Sequence, residues 1–188
     1  FREMLGAFVV DPVGVAVDDR VMVITEWSSL TPGQLLDVVR ADDSGAAFVA
    51  LRPEVAFMVN GRAWPATERL RARVGETERW RVVNLSSQPH PMHLHGFSFD
   101  VVATGDGRRD RTVAAEARHP VVTHLLPPVG TMAMTWTPTR TGRWLFHCHL
   151  MDHVAPERRV GGVARDAHGH DAHAAHGSGD AALGMAGL

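Results

Sequence analysis

The sequence predicts an all-β fold, a sandwich or barrel of short strands, on two observations. Short runs rich in Val, Thr, Phe and Trp recur at regular spacing, separated by Gly, Pro and Asn-Gly turn chemistry. No segment carries the sustained apolar period of a long amphipathic helix.

The elements follow in order. FREMLGAFVV (1–10) ends in a β-branched run and reads as a strand with nothing before it to pair with, and DPVG (11–14) is turn chemistry. VMVITEW (21–27) opens a new unit. Residues 28–54, with TPG, ADDSG and Pro53, read mostly as loop. VAFMV (55–59) is a strand closed by Asn60-Gly61. RLRARV (69–74) alternates polar and apolar residues as a half-buried strand does, and ERWRVVNL (78–85) follows it. HLHGFSFDVVATG (93–105) reads as one long strand, and 106–118 as a charged loop holding a turn of helix. VVTHLL (121–126), TMAMTWT (131–137) and RWLFHCHL (143–150) complete the set, punctuated by PPVG (127–130) and by Pro138 through Gly142. From Ala164 the composition shifts to Ala, Gly, His and Asp, which cannot bury enough apolar surface to fold alone. Three units are therefore expected: 1–14 as the end of a preceding domain plus linker, 15–163 as the main domain, and 164–188 as a disordered His-rich tail.

Composition narrows the partners. The formal charge is −2 with both signs interspersed, so nothing favours nucleic acid or an anionic membrane. No apolar run approaches the roughly 20 residues of a membrane span. The chain is 45% hydrophobic, enough for a sizeable core. One cysteine excludes an internal disulfide.

That cysteine sits in WLFHCHLMDH (144–153), flanked by His147 and His149 and followed by His153. Twelve histidines are present, three of them in HPMHLHG (90–96) and four in HGHDAHAAH (168–176). Neighbouring side chains on a strand point to opposite faces, so Cys148 faces away from His147 and His149. A thiolate on one face and imidazoles on the other can serve two metal centres. His93 and His95 share a face likewise, while His90 precedes the prolines' turn and can point elsewhere. Cys148, His90 and His153 make the two-histidine, one-cysteine set of a blue copper site. His93, His95, His147 and His149 converge as four further imidazoles. Zinc would call for more cysteines or three histidines with an open position. His119 and His124 read as ordinary surface or core residues, and the tail histidines as a solvated end.

HPMHLHG followed by WLFHCHLMDH resembles the C-terminal copper motifs of multicopper oxidases, the laccase-like proteins built from Greek-key cupredoxin domains. The resemblance runs through MVNGRAWPATERLRARVGETERWRVVN and LPPVGTMAMTWTPTRTGRWLFHCH, about residues 21–155, and FREMLGAFVVDP resembles the last strand of a preceding cupredoxin domain. It implies a copper oxidoreductase, exported to the periplasm or secreted. His90, Cys148 and His153 would hold a mononuclear blue copper. His93 would hold the single copper of a trinuclear cluster, and His95, His147 and His149 its coupled pair. Cys148, His147 and His149 would carry electrons from a reducing substrate, a small molecule or metal ion, to dioxygen.

The family's cluster takes eight histidines, four of them from another cupredoxin domain, so a missing N-terminal domain is implied. Two-domain relatives are expected to be trimers, which implies a homotrimer. The family places Met, Leu or Phe five residues after the last histidine, where this chain has Arg158. A guanidinium cannot ligate copper, and Val160 is the alternative occupant. Competing readings are a blue-copper electron-transfer module and a copper-binding or tolerance protein without oxidase activity. HCH separates them, because a simple carrier has no use for imidazoles on both sides of its thiolate.

Overall fold

The computed structural model describes residues 5–11, 13–14, 18–51, 53–150 and 153. The expected tail, Met151, Arg158 and Val160 lie outside the described residues. In chain order the elements are β1 (Arg20–Ser28), α1 (Pro32–Arg40), α2 (Ser44–Leu51), β2 (Val55–Val59), β3 (Glu78–Asn84), β4 (His90–Leu94) and β5 (Asp100–Gly105). Then come β6 (Asp110–Thr112), a 3₁₀ turn (Ala115–Ala117), β7 (Thr123–Leu126), β8 (Thr131–Trp136) and β9 (Phe146–Cys148). The strands form a six-stranded sheet, β2-β1-β3-β8-β5-β6, and a three-stranded sheet, β7-β4-β9. β1 and β3 run parallel, and the other paired strands are antiparallel. The fold is the all-β sandwich expected.

Period-two burial joins the sheets. On β8, Met132, Met134 and Trp136 point inward while Thr131, Ala133 and Thr135 are half-exposed. β3 turns Trp80, Val82 and Asn84 inward, β4 turns His90, Met92 and Leu94, and β9 turns Phe146 and Cys148. Trp80 of the large sheet meets Phe146 of the small one edge-on, with ring centroids 5.1 Å apart. Such aromatic pairs contribute about 0.5–1.5 kcal/mol beyond their area burial. The apolar core thus lies between the sheets, and Cys148 reaches into it from β9.

The structure corrects five readings of the sequence. Residues 28–54 hold two helices instead of loop. Thr31 caps α1 by accepting the Gln34 N–H at 3.3 Å, and the Gln34 carboxamide accepts the Thr31 N–H at 2.9 Å. This capping box, with Pro32 in the first turn, was legible as T-x-x-Q. Residues 69–74 run outside both ladders; only Leu70 packs against the core, partly buried, while Ala72 and Val74 are exposed. The segment 93–105 breaks at Gly96, where φ is +77° and the chain leaves the small sheet for the large one. The final strand is confined to Phe146–Cys148. Residues 5–10 carry no strand. No described helix is long and apolar enough to cross a membrane.

Candidate metal centre

β9 sets the site. Cys148 lies opposite Met92 of β4, and His147 lies opposite His93. The small sheet therefore presents one face to the core with Cys148 and the other outward with His93 and His147. His90 belongs to β4 itself, with the parity of Met92 rather than of His93. It was expected ahead of the strand; being inside it, strand parity alone sends its ring inward.

The inner group is buried: Cys148 and His90 are 0% exposed and His153 is 3% exposed. His153 Nδ1 lies 3.4 Å from Cys148 Sγ and 3.1 Å from His90 Nδ1. The Leu150 N–H approaches the same sulfur at 3.5 Å. Phe57 closes the apolar side, its ring centroid 4.1 Å from that of His153 and 5.0 Å from that of His90. On the far side of the His90 ring, Nε2 meets Ser86 Oγ at 2.7 Å. Phe57 and Ser86 had no signal in the sequence, because neither is near a histidine motif at ligand spacing.

The outer group is half-buried to exposed. His93 Nδ1 lies 2.7 Å from the Val122 carbonyl and 2.8 Å from Thr123 Oγ1. His147 Nδ1 lies 2.7 Å from the Cys148 carbonyl. A carbonyl only accepts, so both Nδ1 atoms carry the proton and both Nε2 atoms present a lone pair. His95 Nε2 and His147 Nε2 are 2.9 Å apart. His149 stands beside them, its ring centroid 5.1 Å from that of His93 and 5.8 Å from that of His147. Burial, reinforced by neighbouring imidazoles, lowers the pKa of His93 and of His147 against the opposing backbone hydrogen bonds. The shift favours the neutral form, the one in which an imidazole ligates a metal.

The residues fit metal in two places. Donor atoms of His90, Cys148 and His153, and separately of His93, His95 and His147, lie within 4.8 Å of one another. The inner set is the two-nitrogen, one-thiolate combination that selects copper, and it is buried, with the Phe57 ring on one side and Ser86 on the other. A sandwich with such a buried group, backed by imidazoles on the other face of the same strand, defines a copper protein. The multicopper oxidase family model matches residues 29–158, and the chain belongs to that family. Among curated relatives, Laccase-3 of Botryotinia fuckeliana is 28% identical over 124 residues, 55% of this chain and 27% of that protein. Laccase-7 of Arabidopsis thaliana is 37% identical over 78 residues, 37% of this chain and 13% of that protein. The chain thus matches about a quarter or less of the length of these relatives. The fold is shared with the blue copper oxidase of Nitrosomonas europaea, at TM-score 0.53 and 16% identity over 72% of this chain and 38% of that one.

Proposed function

We propose that this chain is the copper-binding C-terminal cupredoxin domain of a laccase-like multicopper oxidase. His90, Cys148 and His153 hold its blue copper. His93, His95, His147 and His149 supply this domain's half of a trinuclear copper cluster. Copper, when bound, supplies one-electron oxidation of a reducing substrate and the reduction of dioxygen to water.

The chain's residues do the rest. Phe57 and the sheet interior keep water from the Cys148 sulfur. The Cys148 backbone ties the inner group to the outer one directly, because its own carbonyl accepts the His147 Nδ1–H at 2.7 Å. The thiolate side and the imidazole side are thus joined by a single residue and one hydrogen bond. A second cupredoxin domain supplies the remaining histidines, from a preceding segment or from neighbouring copies in a homotrimer. On this reading residues 1–14 end that domain, 15–163 form the copper domain, and 164–188 are an appended tail. The reductant is a small molecule or a metal ion, and the location is periplasmic or secreted.

The observation that carries the proposal is the placement of two donor groups on opposite faces of β9. A plain electron carrier needs only the inner one. The test is copper loading of the chain followed by visible spectroscopy and oxygen uptake with a phenolic donor. An intense blue band bleached by a one-electron reductant is expected, without turnover until a second cupredoxin domain is supplied. A colourless copper-loaded chain, or a Cys148→Ser variant that stays blue, refutes the assignment.

A further inference from the structure

Two buried residues outside the metal-binding groups, Asn84 at 0% and Ser86 at 4% exposed, form a hydrogen-bonded column behind His90. Its proton count can be settled from the anchored end. Asn84 Nδ2 lies 2.8 Å from the Gln88 carbonyl, 3.0 Å from the Pro127 carbonyl and 3.4 Å from the Leu126 carbonyl. Three acceptors surround it, so this atom is the amide nitrogen and Oδ1 is the acceptor. The Asn84 backbone N–H is itself fixed to the Gly130 carbonyl at 2.9 Å, so the residue is held by the Pro127–Gly130 turn at both ends.

Asn84 Oδ1 receives the Ser86 N–H at 2.9 Å and the Ser86 hydroxyl at 2.7 Å. A serine hydroxyl has one proton. If that proton went to His90 Nε2, two oxygen atoms would face each other at 2.7 Å with nothing between them. If it went to the Gln88 carbonyl, 3.1 Å away, the same clash would result, and that carbonyl already receives the Asn84 amide. The hydroxyl proton therefore points at Asn84. Ser86 Oγ is left as an acceptor, and the 2.7 Å contact with His90 must be an Nε2–H donating to it. An imidazole protonated on Nε2 carries its lone pair on Nδ1, the atom that faces His153 and lies within the Cys148 group.

We infer that Asn84 and Ser86 are positioning residues that set the tautomer and ring orientation of His90, so that Nδ1 is presented to the metal before any metal arrives. The inference rests on the proposed blue copper role of His90 for its consequence, but the tautomer itself is a property of the metal-free chain. Both residues lie on or beside the end of β3, so the large sheet orients a ligand carried by the small one. Removing the hydroxyl takes away the Ser86 acceptor that holds this N–H and frees the ring to turn over, which spoils a ligand without touching a metal-binding atom.

The test reads the His90 ring nitrogens by ¹⁵N NMR in the copper-free full chain, together with copper affinity by chelator competition. Wild type is expected to carry its proton on Nε2. Ser86→Ala is expected to give a mixture of tautomers and a roughly 10–100-fold weaker copper site. Ser86→Thr, which keeps the hydroxyl, is expected to restore both. A wild-type proton on Nδ1 overturns the inference whether or not the alanine variant folds. So does a folded Ser86→Ala variant with unchanged tautomer and affinity. Failure of the copper assignment would appear separately, as a wild-type chain that never turns blue.

Discussion

Gly96→Ala tests how the turn after His95 is built. Gly96 has φ +77°, and a Cβ there would lie 2.3 and 2.4 Å from Trp144 Cε3 and Cζ3. The indole cannot retreat freely. The Arg140 guanidinium sits 4.6 Å above its ring, and Phe97 meets it edge-on at 5.1 Å. Arg140 also donates to the Gly96 carbonyl at 2.8 Å, closing the cluster. Two costs add. Left-handed backbone costs a non-glycine residue about 1–2 kcal/mol, and overpacking costs about 1–3 kcal/mol. The expected loss is therefore roughly 2–5 kcal/mol. Gly75→Ala is the control, because Gly75 has φ +84° with nothing within 4 Å of the added carbon. It should show the backbone cost alone. Urea unfolding of both copper-free variants gives the comparison. Equal destabilisation, within about 0.5 kcal/mol, would refute the steric account. A second readout is copper binding at the outer group, since the His95 N–H donates to the carbonyl of Leu145, next to the displaced indole, at 2.8 Å.

Two further outcomes are expected. Phe57→Ala removes a ring that is 7% exposed and packed against His153 at a 36° tilt, and should cost about 3–5 kcal/mol in denaturant unfolding. Acid should destabilise the copper-free chain. Burial is the first cause lowering the pKa of His93, His124 and His147 below the ordinary 6.5. The unfolded chain then takes up protons more readily than the folded one. Stability is therefore complete above 6.5 and falls as pH drops from there toward the lowered folded values. Thermal midpoints at about pH 7.5 and 5.5 should show this fall, with His124→Leu recovering part of it. A midpoint that holds or rises on acidification contradicts the burial argument.

The face assignment around Cys148 was legible because it needs only strand parity, a local rule. His90 was grouped with Cys148 and His153 as found, but read as lying ahead of the strand, because the prolines around it read as a turn while its parity is that of Met92. The helices over Pro32–Arg40 and Ser44–Leu51 were missed because Gly33 and the ADDSG stretch outweighed a capping box that was present. RLRARV failed in the opposite direction: no partner strand runs alongside it, so only Leu70 reaches the core while Ala72 and Val74 stay exposed. The Asn84–Ser86 column was out of reach of any reading by spacing. It is anchored on the Leu126 and Pro127 carbonyls, 42 and 43 residues away in the chain, so only the closed sandwich creates it.

The central claim is that β9 serves two copper groups on opposite faces. Copper-loaded wild type, Cys148→Ser and His95→Gln chains, compared by electron paramagnetic resonance and visible absorption, test it most directly. Cys148→Ser should lose the blue thiolate signal while keeping copper at the exposed imidazoles. His95→Gln should keep the blue signal and lose copper from the outer face. If removing His95 abolishes the blue signal, or removing the Cys148 sulfur leaves it intact, the two faces do not hold separate centres.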